Sequence, residues 1–240
     1  NLHTHEPFLL EDMEKAVERI LLAIEKNEKI CIYSDYDADG VPAAVVLHDF
    51  LKKIGYTNFE IYIPHRHDEG FGLNGEAIKT IAKNASTLLI TLDCGITDVA
   101  EVEQANDLGI DVIITDHHIP GEELPPAFAI INPKRALNKY PFDMLCGSGV
   151  AFKLVQAILK KKSFGLKEGW EKWLLDMVGL ATCADMVPLT GENRIFAYYG
   201  LKVLRKSPRA GLLSLFQKLK VNQKHLTEDD IGFTIGPRIN

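Results

Sequence analysis

Through the first half of this 240-residue chain, short apolar segments of strand length alternate with longer segments of helical spacing. That alternation constrains the fold more than any other feature, because strands that each hand over to a crossover helix lie parallel. Met13, Ala16, Val17, Ile20, Leu21 and Ile24 fall three and four residues apart and predict an amphipathic helix over 10–26. Further helices are expected over 41–54, closed by Gly55, and near 75–83 and 98–108. Strands are expected over 29–34, 59–63, 88–92, 112–115 and 129–131. The expected fold class is α/β, with a doubly wound, mostly parallel five-stranded sheet. Residues 119–140, rich in Pro, Gly and Asn, read as loop around the last strand. Beyond Ser148 the pattern turns helical, over 150–161, 170–180, 194–205 and 211–219, with Trp170 and Trp173 expected to pack on one helical face. This divides the chain into an α/β part, 1–145, and a helical continuation, 146–240, on the same core.

Composition narrows the setting. No apolar run approaches the ~18 residues that a membrane span needs, and residues 1–11 lack the apolar core of a signal peptide. Cys31, Cys94, Cys146 and Cys183 are scattered without a C-x-x-C pair, which suits reduced thiols in a cytoplasmic protein rather than disulfides or a zinc framework. Asp and Glu outnumber Lys and Arg by 33 to 27, a poor balance for gripping phosphates unless bound cations offset it.

Three short segments carry the chemistry, each directly after an expected strand. Asp35-Tyr36-Asp37-Ala38-Asp39-Gly40 follows the first, Asp93-Cys94-Gly95 the third and Asp116-His117-His118 the fourth. In an open parallel sheet, ligands bind outside the carboxyl ends of the strands, so these segments converge on one edge. Asp185, after an apolar helical run and before Val187-Pro188, is a fourth acidic candidate. Carboxylates crowded together repel unless cations lie between them. Oxygen ligands with an imidazole suit Mn²⁺ or Mg²⁺. Two such ions can activate a water and clamp both oxygens of a phosphoryl displacement. Taken singly the segments have bland readings: a calcium loop, a turn, a strand end. A calcium-binding EF-hand is excluded by the preceding strand and the apolar residues that follow.

The four motifs, in this order, resemble those of the DHH phosphoesterase superfamily. The resemblance implies that Asp37, Asp39, Asp93, His117 and Asp185 ligate two Mn²⁺ (or Mg²⁺) ions, with Asp93 bridging and Asp35 a ligand or a supporter of one. It implies a catalytic role for Asp93, His117 and His118, with His118 contacting the substrate phosphate or supporting His117. Pro64-His65-Arg66, Glu69–Asn74, Leu145–Leu154, Ala184–Leu189, Glu192-Asn193-Arg194 and Ile235–Asn240 are similar to the RecJ exonuclease branch. That branch implies 5′-to-3′ hydrolysis of single-stranded DNA in recombination and repair. It also implies a single-strand-binding protein or helicase as partner of the full-length enzyme, and no membrane. A DHH-associated domain and an oligonucleotide-binding domain normally continue such a chain, so truncation is expected here. Other branches act on short oligonucleotides, cyclic dinucleotides or pyrophosphate, and some members are non-catalytic DNA-binding scaffolds.

Around the metals, Arg66, Ser148, Arg238 and Asn240 are candidate DNA-phosphate contacts. Arg66 and His65 read equally as a solvated loop. Ser148 reads first as a helix N-cap, with free amides beside it for a phosphate. Arg238 and Asn240 otherwise read as a polar chain end. Phe71, Tyr33 and Tyr36 offer stacking faces, although Tyr33 lies in a strand and reads as core.

Overall fold

The computed structural model describes residues 4–240. Five strands, β1 (Ile30–Ser34), β2 (Phe59–Tyr62), β3 (Leu88–Leu92), β4 (Asp111–Thr115) and β5 (Ala129–Ile131), form one sheet. Their order is β2-β1-β3-β4-β5 and every neighbour is parallel. Four helices serve the crossovers and their flanks: α1 (Met13–Lys26), α2 (Gly40–Lys53), α3 (Gly75–Lys83) and α4 (Val99–Asp107). The two-residue period of a strand divides the side chains between the faces. Ile30, Ile32, Leu88, Ile90 and Ile113 join α1 and α2 in one apolar core. Cys31, Tyr33, Leu89, Val112 and Ile114 join α3 and α4 in the other.

The remaining helices, α5 (Gly147–Lys161), α6 (Leu175–Ala184), α7 (Gly191–Leu204), α8 (Ala210–Leu219) and α9 (Gly236–Ile239), add to the first core through Phe152, Val178, Phe196 and Phe216. A π-helical turn over Asp230–Ile235, unmarked in the sequence pattern, precedes α9, where Arg238 and Asn240 taken by themselves read as a polar chain end. Helices α6 and α7 meet at Gly179 and Gly200, where a β-carbon on Gly200 would lie 2.5 Å from the Gly179 Cα. A buried ion pair and a half-buried bridging arginine fix the helical layer. Lys153 on α5 meets Glu192 on α7 at 2.5 Å. Arg209 bridges Asp176 on α6 and Asp49 on α2.

Several boundaries differ from the sequence reading, each for a physical reason. Asp12 takes a left-handed backbone, so α1 starts at Met13 rather than at residue 10. The Asp12 carboxylate instead accepts the Ile130 N–H and pairs with Arg135, which in turn donates to the Ile130 carbonyl. The outer edge of β5 is thereby closed by side chains. The segment expected as one helix over 170–180 is a 3-10 turn, Trp170–Leu174, leading into α6. Trp170 packs on the core, but Trp173 is 62% exposed, because the 3-10 turn rotates it off the α-helical face.

Candidate metal centre

The three motif loops reach one place because the sheet ladder continues into them. Asp35 N–H donates to the Leu92 carbonyl, Asp93 N–H to Thr115 and Asp116 N–H to Ile131, so each loop's first residue is still held as strand. The first two leave β1 and β3, between which the strand order reverses, the place where open α/β sheets bind ligands. Asp185 arrives from the other side at the C-cap of α6, its N–H bonded to the Ala181 carbonyl.

Three overlapping groups of side chains have ligand atoms within 4.8 Å of one another: Asp35, Asp37 and Asp93; Asp39, His117 and Asp185; Asp93, His117 and His118. Asp93 and His117 each belong to two of them. His117 Nε2 lies 3.2 Å from Asp93, 3.7 Å from Asp39 and 3.8 Å from Asp185. Asp35 Oδ1, Asp93 Oδ1 and His117 Nδ1 are buried without a hydrogen-bond partner among the described residues. Buried polar atoms are rarely left so. Hard oxygen ligands with an imidazole, several of them unsatisfied, fit Mn²⁺ or Mg²⁺. Asp93 also holds a left-handed backbone at φ 63°, a cost of about 1 kcal/mol or more that turns its carboxylate into the cluster.

The electrostatics agree. Burial first, then Asp39 and Asp37, raises the Asp93 carboxyl well above its ordinary range. Asp185 is pushed up to about 7 by burial and by the same two neighbours, against the pull of His118 and Lys134. Asp35 rises to about 6, chiefly through burial. Burial lowers His117, opposed by Asp39 and assisted by His118 and Lys134, which keeps the imidazole neutral and able to ligate. Such a cluster holds protons until cations replace them.

Sequence reasoning overlooked the groups that hold the ligands in place. Asp116 is 1% exposed and accepts N–H bonds from Ile96, His117 and His118, and the His118 ring at 2.7 Å. That hydrogen bond is the main cause of a raised His118 pKa. Asp39 receives the N–H groups of Gly147 and Ser148 at 2.6 and 2.7 Å, the first turn of α5. Asn132, leaving β5, donates to the His118 carbonyl. The rule about strand ends would have found Asn132 had it been applied to the fifth strand as well.

Around the rim, Arg66 is exposed, with its guanidinium 4.4 Å over the Tyr36 ring, while His65 pairs with Asp68. Phe71 is 54% exposed and meets the His118 ring edge-on. Tyr33 is core, its hydroxyl on the Gly72 carbonyl. Asn240 accepts the Ala38 N–H inside the first motif loop, and Arg238 is exposed on α9. Ser148 requires correction. It is not an N-cap but the second residue of α5, fully buried, with its hydroxyl donated to the Asp39 carbonyl. Its amide serves a protein carboxylate, so neither is available to DNA. Gly147 beside it has no room for a β-carbon, which would fall 2.4 Å from Asp93 Oδ1.

A doubly wound parallel sheet with this centre at its switch point defines the class: an α/β protein built to hold divalent ions between carboxylates. Residues 29–182 match the model of the DHH family, N-terminal domain. The chain belongs to the DHH family. It is 43% identical to the single-stranded-DNA-specific exonuclease RecJ of Bacillus subtilis, over 100% of this chain and 30% of that protein. Against the RecJ of Escherichia coli the identity is 36%, over 96% and 41%. The chain thus spans less than half the length of these curated relatives. A solved exonuclease RecJ bound to manganese superposes with a TM-score of 0.85 at 33% identity, over 96% of this chain and 57% of that one. RecJ from Thermus thermophilus in complex with Mn²⁺ gives 0.81 at 29% identity, over 99% and 33%. Among the described residues, no helix is long and apolar enough to cross a membrane.

Proposed function

We propose that this chain is the catalytic core of a RecJ-type exonuclease, a divalent-metal phosphodiesterase that removes nucleotides 5′ to 3′ from single-stranded DNA. The observation that carries the reading is the overlap of three ligand groups at Asp93 and His117, which calls for two ions rather than one. Asp35, Asp37 and Asp93 would hold the first ion, and Asp39, His117 and Asp185 the second, with Asp93 shared. Ions bound there supply the charge that activates a water and offsets the negative charge on the scissile phosphate. Asp93, fixed by its backbone and by β3, holds the two ligand groups at one separation. His118, whose charged form the Asp116 carboxylate favours, would donate to a phosphate oxygen as charge develops there. Arg66 and Arg238 would meet neighbouring phosphates, and Asn240 steadies the first motif loop through Ala38. The half-exposed Phe71 and the Arg66-covered Tyr36 offer faces for unpaired bases. Residues 1–145 supply most ligands and 146–240 the last one. Work in recombination and repair in the cytoplasm, with a single-strand-binding protein or helicase presenting the strand, completes the proposal by likeness to RecJ.

The test is Mn²⁺-dependent release of mononucleotides from 5′-labelled single-stranded DNA, with duplex DNA and pyrophosphate as controls. Release from the single strand alone is expected, and Asp93→Ala abolishes it with the circular dichroism spectrum unchanged. Hydrolysis of pyrophosphate in its place, or full activity of the variant, overturns the reading.

A further inference from the structure

Lys134 and Arg135 are adjacent cations on the loop that leaves β5, and they meet opposite fates. Arg135 is consumed by the fold, paired with Glu11 and Asp12 and donating to the Ile130 carbonyl. Lys134 is half-buried, and among the described residues no carboxylate lies within ion-pair distance of its ammonium. Its backbone is nevertheless held. The Lys134 N–H donates to Asn132 Oδ1 at 2.8 Å, and the fully buried Asn132 donates to the His118 carbonyl at 2.9 Å. Two hydrogen bonds therefore separate the lysine backbone from the motif histidine.

Arg66 lies on the loop after β2 and Lys134 on the loop after β5, the two edge strands of the sheet, with the motif strands β1, β3 and β4 between them. The two cations thus flank the centre from opposite sides. A positive charge beside carboxylates that must hold dications works against metal binding. Its presence there calls for an anion that arrives with the substrate.

We propose that Lys134 contacts a substrate phosphate across the centre from Arg66, so that phosphates on both flanks of the scissile one are held. This rests on the phosphodiesterase reading above and narrows its substrate. The site is built for a strand bearing phosphates beyond the one cut, which pyrophosphate or a lone mononucleotide lacks. Lysine suits the task because a flexible ammonium follows a backbone phosphate without demanding one geometry.

The experiment measures binding of a hydrolysis-resistant phosphorothioate single strand by fluorescence anisotropy in Mn²⁺ at several salt concentrations. Mn²⁺ affinity is measured separately by calorimetry. Lys134→Ala weakens strand binding on the order of fivefold. It also lowers the slope of log K against log salt by about 0.7, one single-strand phosphate contact. Mn²⁺ affinity stays level or rises, since a repelling charge has gone. Lys134→Arg retains the slope, and Lys139→Ala, an exposed lysine of the same loop, changes nothing. An unaltered slope in Lys134→Ala overturns the assignment. Parallel loss of Mn²⁺ and strand binding overturns it too, because that is what a purely structural lysine would give. If the wild-type chain binds Mn²⁺ but no strand, the role of Lys134 fails while the metal centre stands. If it binds no Mn²⁺, both readings fail.

Discussion

Asp116 shows how much of a centre can rest on a carboxylate that need not touch a metal. Burial alone would raise its pKa, yet the His118 ring and the backbone amides outweigh burial and hold it below its usual range. The carboxylate orients the His118 ring and favours its charged form. Asp116→Asn preserves shape but removes the charge. Turnover is expected to fall about 10- to 100-fold while Mn²⁺ affinity changes little. The His118 limb of the pH–rate profile should also move to lower pH, since the partner that raises its pKa has lost its charge. An unshifted profile would mean that His118 does not work through Asp116. At the same scale, Asp93 combines a left-handed backbone with a raised pKa, and a bound cation would offset the second by taking the place of the proton.

Elements explain which parts of the molecule were legible. Four strands were visible as buried apolar runs and the half-exposed edge strand β2 by its aromatic and β-branched residues, and the motif loops could be placed because they leave buried strands. Helix starts were harder. The start of α5 was placed three residues late, with Ser148 read as its N-cap, because the Asp39 carboxylate that receives the Gly147 and Ser148 amides comes from far away in sequence. Trp173 misled because a periodicity argument assumes 3.6 residues per turn, and the 3-10 turn breaks that spacing. The contact between α6 and α7 was equally invisible, since Gly179 and Gly200 signal nothing singly. Gly200→Ala is expected to destabilise the chain by about 1–3 kcal/mol through overpacking. Chemical denaturation checks this, with little change in Mn²⁺ affinity provided that the α6 end carrying Asp185 is held from elsewhere.

For the whole molecule, the raised carboxyls couple stability to pH. Asp35, near 6, and Asp185, near 7, have folded pKa values above those of free carboxyls, as does Asp93. The stabilisation they give is complete below about pH 4 and is lost as pH rises through the 6–7 range. Without metal, these groups therefore favour the folded chain more at pH 5 than at pH 8. Bound divalent ions reverse the preference, so Mn²⁺ should raise the melting temperature more at pH 8 than at pH 5.5. Equal shifts at both values would remove the cluster as the site of coupling. The same assembly has a consequence in time. The ligands come from three separate strand ends and from the close of α6, and none is positioned until non-adjacent stretches have paired. Metal capture is thus among the last events of folding, and it lengthens the life of the finished molecule rather than hastening its birth.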